Sequence, residues 1–91
     1  MPITVKIPTQ LRDAAGGAAT ATVSGTTVGE ALHDLYDQHG ELRERIAGED
    51  GEPRRFVNVY LGGEDIRFLE GMDTPVPEGS ELTILPAVAG G

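Results

Sequence analysis

Ile3, Val5 and Ile7 alternate with Thr4 and Lys6, the period of two expected of a strand with one buried face, and Pro8 ends the run. Residues 10–18 contain Gly16-Gly17 and read as a loop, while 19–24 alternate weakly before Gly25 and supply the return strand of a first hairpin. Thr27 followed by Glu30 matches a capping box, in which hydroxyl and carboxylate each accept a backbone N–H at the open end of a helix. Val28, Leu32, Leu35 and His39 then share one helical stripe, Glu30, Asp34 and Asp37 lie off it, and Gly40 is expected to stop the helix in the left-handed conformation. A second short helical turn is expected around Leu42 to Ile46, and residues 48–53 read as a loop.

Val57, Val59 and Leu61 alternate with Phe56, Asn58 and Tyr60 in the most β-prone stretch, which marks it as the central strand. Gly62-Gly63-Glu64-Asp65 turns the chain into a brief Ile66-Arg67-Phe68 strand. Pro77-Glu78-Gly79-Ser80 turns it again into Glu81-Leu82-Thr83-Ile84-Leu85. The order of elements predicts an α+β domain, one main helix across a mixed sheet, with the first and last strands paired in its middle. Ile3, Val5, Ile7, Leu32, Leu35, Val57, Val59, Leu61, Leu82 and Ile84 form the expected core.

Ninety-one residues suit a single domain, and 13 glycines with 6 prolines imply many turns. The net charge is −8 with Lys6 the only lysine, which argues against nucleic acid and anionic membranes as partners. An acidic surface steers the molecule instead toward a basic patch on another protein. There is no cysteine, so disulfides, thiolate metal sites and a cysteine nucleophile are excluded together. The first residues show neither a basic nor an apolar leader region, and no run approaches a membrane span, so a cytoplasmic location is expected.

The residues suited to enzyme chemistry are poorly arranged for it. His33 and His39 are six apart and do not share a helix face as a metal-binding pair would. Ser24 and Ser80 adjoin turn glycines without a neighbouring base, and Glu49-Asp50 and Glu64-Asp65 read as solvated loop acids. Gly16-Gly17 and Gly62-Gly63 lack the strand-to-helix setting and lysine of a phosphate loop. No catalytic residue, metal ligand or bound cofactor is expected.

The last residues, Pro86-Ala87-Val88-Ala89-Gly90-Gly91, are small and largely apolar. The five beyond Pro86 extend roughly 17 Å. Side-chain-free glycines let a narrow channel close around the backbone. A reaching arm and a frayed terminus are both compatible with Gly-Gly alone.

Leu85-Pro86-Ala87-Val88-Ala89-Gly90-Gly91, after Glu78-Gly79-Ser80-Glu81-Leu82, resembles the ending of the MoaD/ThiS family of ubiquitin-like sulfur carriers. Arg55-Phe56-Val57-Asn58-Val59-Tyr60 and Glu64-Asp65-Ile66-Arg67-Phe68 extend the likeness, which within the family looks closest to the carrier of a cysteine-forming pathway. The resemblance implies a β-grasp domain over residues 1–86 and a flexible tail over 87–91. It implies that an adenylating enzyme of the ubiquitin-activating type spends ATP on the Gly91 carboxylate, and that a sulfur donor then makes the thiocarboxylate. The chain itself is then a protein co-substrate, not an enzyme. Gly90, Ala89, Val88 and Ala87 would thread the partner's channel, while Leu85, Pro86, Phe56 and Tyr60 would dock against it.

The family also implies a cysteine synthase-like acceptor and a metal-dependent peptidase as further partners of a carrier that is monomeric when free. A role as the molybdopterin synthase small subunit, or in thiamin or thiosugar sulfur supply, stays open. Pro86-Ala87, where the family often has a double proline, tilts the reading from the molybdopterin branch. A ubiquitin-like protein modifier is the remaining alternative, and a single lysine disfavours isopeptide chains of the protein on itself.

Overall fold

A computed structural model describes residues 2–48, 51–54 and 57–86. Their strands form one mixed sheet in the order β2-β1-β5-β3-β4. β1 (Ile3–Lys6) and β2 (Thr20–Val23) make the expected antiparallel hairpin, with Val5 opposite Ala21. β5 (Glu81–Pro86) runs parallel to β1 and antiparallel to β3 (Val57–Leu61). β4 (Glu64–Asp65) closes the far edge. Two helices, α1 (Val28–Gln38) and α2 (Gly40–Ile46), supply buried residues to the core under the sheet. This is the β-grasp architecture, and the first and last strands pair in mid-sheet as the element order predicts.

The core follows the two periodicities. Ile3, Val5, Val57, Val59, Leu82 and Ile84 from the strands meet Val28, Leu32 and Leu35 from α1 and Leu42 and Ile46 from α2, all essentially inaccessible. Burying each such aliphatic side chain is worth roughly 1.5–3 kcal/mol. Leu61 departs from expectation, being half-buried against the core because it lies at the end of β3 beside the Gly62-Gly63 turn.

Several other elements differ from the sequence reading. The expected loop over 10–18 contains a 3-10 helix, Thr9–Ala15, which buries Leu11, Ala14 and Ala15. Pro8 sets its start with φ −68°, and Gly16 at φ 66° ends it, so the glycine pair is a turn as expected. Three apolar positions in seven residues are too short a window for periodicity to reveal.

The Thr27 hydroxyl accepts the Glu30 N–H at 3.2 Å, as a capping box requires. The Glu30 carboxylate, however, accepts the N–H of Thr26 at 2.8 Å and its hydroxyl at 2.9 Å, one residue earlier than the box predicts. Gly40 does not stop α1. His39, with φ −135° and ψ 84°, breaks the helix and stays half-buried, and Gly40 begins α2.

β3 is not central, since β5 holds the middle with β1 on one side and β3 on the other. β-propensity reports fit to a pleated surface and says nothing of rank across the sheet. Ile66–Phe68, expected as a strand, is a 3-10 turn. Asp65 caps it by accepting the Arg67 N–H at 2.8 Å, a local side-chain bond that competes with ladder pairing.

The outer edge of β2 is sealed by α1. The Gln38 side-chain amide donates to the Thr22 carbonyl and the Ser24 N–H donates to Asp34, both at 2.8 Å, leaving those groups no role in pairing with another strand. Gly25 permits this approach. At its φ of 156° an added Cβ would lie 2.8 Å from the Ala31 nitrogen and from Glu30 Cβ.

Candidate functional site: the root of the C-terminal tail

Gly91, Gly90, Ala89, Val88 and Ala87 lie outside the described residues, as does Phe56. The strand that leads to them is β5. Its buried positions, Leu82 and Ile84, face the helices, and Thr83 and Leu85 face the opposite side of the sheet. On that open face Leu85 stands directly opposite Asn58, and Thr83 opposite Tyr60. Leu85 is 45% exposed and Tyr60 half-buried. The face thus brings two of the expected docking residues onto adjacent strands, two positions apart along the ladder.

Pro86 pairs with Val57 as the last rung of the β3–β5 ladder. Proline has no N–H with which to donate a further ladder bond. Farther along the same face, Lys6 of β1 lies 3.5 Å from the Glu81 carboxylate, both half exposed. The only lysine is therefore engaged at the opposite end of β5 from the tail.

Arg67 is a contributor that periodicity did not single out. Its guanidinium donates to the Val57 carbonyl at 2.9 Å, tying the 3-10 turn to the residue opposite Pro86. A long donor two residues after Asp65 was the available signal, hidden because the segment reads as a strand.

The remaining polar residues are dispersed. His33 pairs with Asp37 on the solvent side of α1, one turn apart. Ser24 donates its backbone N–H to Asp34, and the Ser80 N–H donates to the Pro77 carbonyl in the turn before β5. Gly62 and Gly63 adopt φ 59° and 96° in the β3–β4 turn. Among the described residues, no group of three or more His, Asp or Glu is placed to hold a metal ion, and no helix is long and apolar enough to cross a membrane.

A cavity of about 180 Å³ lies beside β3, with Glu52, Val57, Val59, Ile66, Arg67 and Met72 in its wall.

The ThiS family profile matches residues 5–91. The sulfur carrier protein CysO of Mycobacterium tuberculosis is 43% identical over 93 residues, covering 100% of both chains. In the crystal structure of the Amycolatopsis orientalis BexX/CysO complex, a chain superposes with a TM-score of 0.90 at 44% identity, covering 98% of this chain and 99% of that one. SAMP1 of Haloferax volcanii superposes with a TM-score of 0.86 at 32% identity over 100% of both chains. The chain therefore belongs to the ThiS family, and its kinship throughout its length is with ubiquitin-like sulfur carriers.

Proposed function

We propose that the protein carries sulfur on its Gly91 carboxylate as a thiocarboxylate and delivers it for cysteine biosynthesis. The observation that carries this reading is the 43% identity over the whole chain to CysO, named a sulfur carrier protein, together with a central β5 strand that ends at Pro86. β5 pairs with β1 over residues 81–83 and with β3 as far as Pro86, which fixes the root of the tail, and five further residues extend roughly 17 Å from it. A partner can then grip the domain and still draw the terminal carboxylate into a distant active site.

The chemistry divides between the chain and its partners. A carboxylate is a poor electrophile. Attack of a carboxylate oxygen on the α-phosphorus of ATP forms the acyl-adenylate and expels pyrophosphate. Sulfide, or a sulfur donor, then adds to the carbonyl carbon and expels AMP, leaving one sulfur in place of one oxygen. ATP binds the activating enzyme, and this chain supplies the reacting carboxylate. On a cysteine synthase-like enzyme the thiocarboxylate sulfur bonds to the β-carbon of an activated serine derivative as the activated oxygen substituent leaves, giving a thioester between Gly91 and the new cysteine sulfur. An S-to-N acyl shift then leaves cysteine amide-linked to Gly91, from which a metal-dependent peptidase releases it. The complex of BexX with CysO supports the view that such a fold docks onto a protein partner.

Intact mass after incubation with the cognate adenylating enzyme, ATP and sulfide tests the reading. A gain matching one oxygen replaced by sulfur is expected in the full chain and absent from a chain lacking Gly91. ATP consumption with no such gain sinks the thiocarboxylate. The likeness to SAMP1, a small archaeal modifier, favours protein modification as the second reading. Transfer of the whole chain onto protein lysines in a reconstituted extract would mark that outcome.

A further inference from the structure

Phe68 is 85% exposed and Leu69 38%, in a segment that is otherwise firmly held. Ile66 is buried as its plug. The Asp65 carboxylate accepts the Arg67 N–H, and the Arg67 guanidinium donates to the Val57 carbonyl. On the far side the Thr74 hydroxyl donates to the Gly71 carbonyl at 2.7 Å and accepts the Glu70 N–H at 3.0 Å. The chain has two phenylalanines and no tryptophan, and this one contributes nothing to the core.

A rigid turn presenting a large aromatic side chain has little ordering entropy left to lose on docking, and aromatic anchors of this kind dominate interfaces. Between Glu64 and Asp73 there are four carboxylates and one basic side chain, Arg67, which itself reaches back to Val57. An apolar projection in an acidic surround is complementary to an apolar pocket with a basic rim.

The turn also lies close to the tail. Arg67 bonds to Val57 and Val57 pairs with Pro86, so one side-chain hydrogen bond and one strand spacing of about 4.8 Å link the turn to the end of β5. A standard interface covers roughly 800 Å² on each partner, a disc of roughly 16 Å radius. An enzyme that takes the tail therefore has this turn within its footprint.

We propose that Phe68, with Leu69, is a second anchor for the adenylating enzyme, entering an apolar pocket of that enzyme rimmed by basic side chains. The inference rests on the reading that such an enzyme handles the tail. It assigns docking to the β4 side of the sheet in addition to the open face at Leu85 and Tyr60.

The test compares the wild-type chain with Phe68→Ala, Phe68→Leu and Glu70→Lys in ATP–pyrophosphate exchange by the cognate adenylating enzyme. Calorimetric binding of chains lacking Gly91 to the same enzyme runs in parallel. Phe68→Ala should raise KM about tenfold or more with kcat within about twofold, Phe68→Leu should recover much of the loss, and melting temperatures should be unchanged. Glu70→Lys should weaken binding most at low salt. An unchanged KM and affinity in Phe68→Ala overturns the anchor while leaving the tail chemistry standing. If the wild-type chain supports no exchange, the tail reading fails, and calorimetry still decides the anchor. Binding by wild type and not by Phe68→Ala sustains it, and equal binding or none by either chain overturns it.

Discussion

The Tyr36 hydroxyl is buried without a hydrogen-bond partner, alone in this among the side-chain polar atoms of the described residues. Burial pushes its pKa from 10.0 up to about 12, the positive charge of Arg43 opposing. Because the folded value lies above the unfolded one, the associated stability is complete below pH 10 and is lost as pH rises from about 10 toward 12. Tyr36→Phe removes a polar atom that gains nothing in the fold. It should leave stability equal or higher by up to about 1 kcal/mol and abolish that alkaline loss. Urea unfolding at neutral and alkaline pH checks both effects, and a destabilised phenylalanine variant would mean the hydroxyl does have a partner.

At the level of elements, the start of α1 depends on Thr26, Thr27 and Glu30 acting as a set. Thr27→Ala should cost about 1 kcal/mol through loss of the N-cap, read as a lower urea midpoint with unchanged slope. Glu30, exposed as it is, has its pKa held below 4.5 first by the Thr26 N–H and then by the Thr26 hydroxyl. A depressed carboxylate stabilises above its unfolded pKa and loses that contribution as pH falls through the folded value. Glu30→Gln should therefore flatten the decline in melting temperature below pH 4.5, and an acid limb identical to wild type would count against the assignment. Much of this element was legible from Thr27 and Glu30 and from Val28, Leu32 and Leu35. The exit was not, because His39 ends the helix through its backbone angles and no side-chain pattern announces them.

The whole molecule is closed by its last strand. β5 lies between β1 from the first hairpin and β3 from the second half, and it buries Leu82 and Ile84 completely. Removing it takes one partner from each neighbour, leaving two separate hairpins, and opens the core beneath α1 and α2. A chain ending at Ser80 should show neither cooperative thermal unfolding nor dispersed amide resonances, whereas one ending at Pro86 should keep both. A folded Ser80 truncation would contradict the central role of β5. The same architecture couples the tail to the fold, since any partner pulling on residues beyond Pro86 pulls against the most fully paired strand.

The residue pattern by itself determined the hairpin, the first helix, the buried stripe and the Gly-Gly ending, because each is encoded within a few neighbouring residues. Local turn chemistry was legible where glycine and proline punctuate it, as at Gly16 and at Pro77 to Ser80. Rank within the sheet was decided only in three dimensions. Val57 to Leu61 is the most β-prone stretch, yet β5 is central, because centrality depends on which distant strands need a partner. The 3-10 turn at Ile66–Phe68 has a local part, the Asp65 cap on the Arg67 N–H, and a tertiary part, Ile66 filling the core and Arg67 reaching Val57. Strand order joins residues far apart in the chain, beyond the range of any periodicity, and it sets Leu85 and Tyr60 on adjacent strands of one open face.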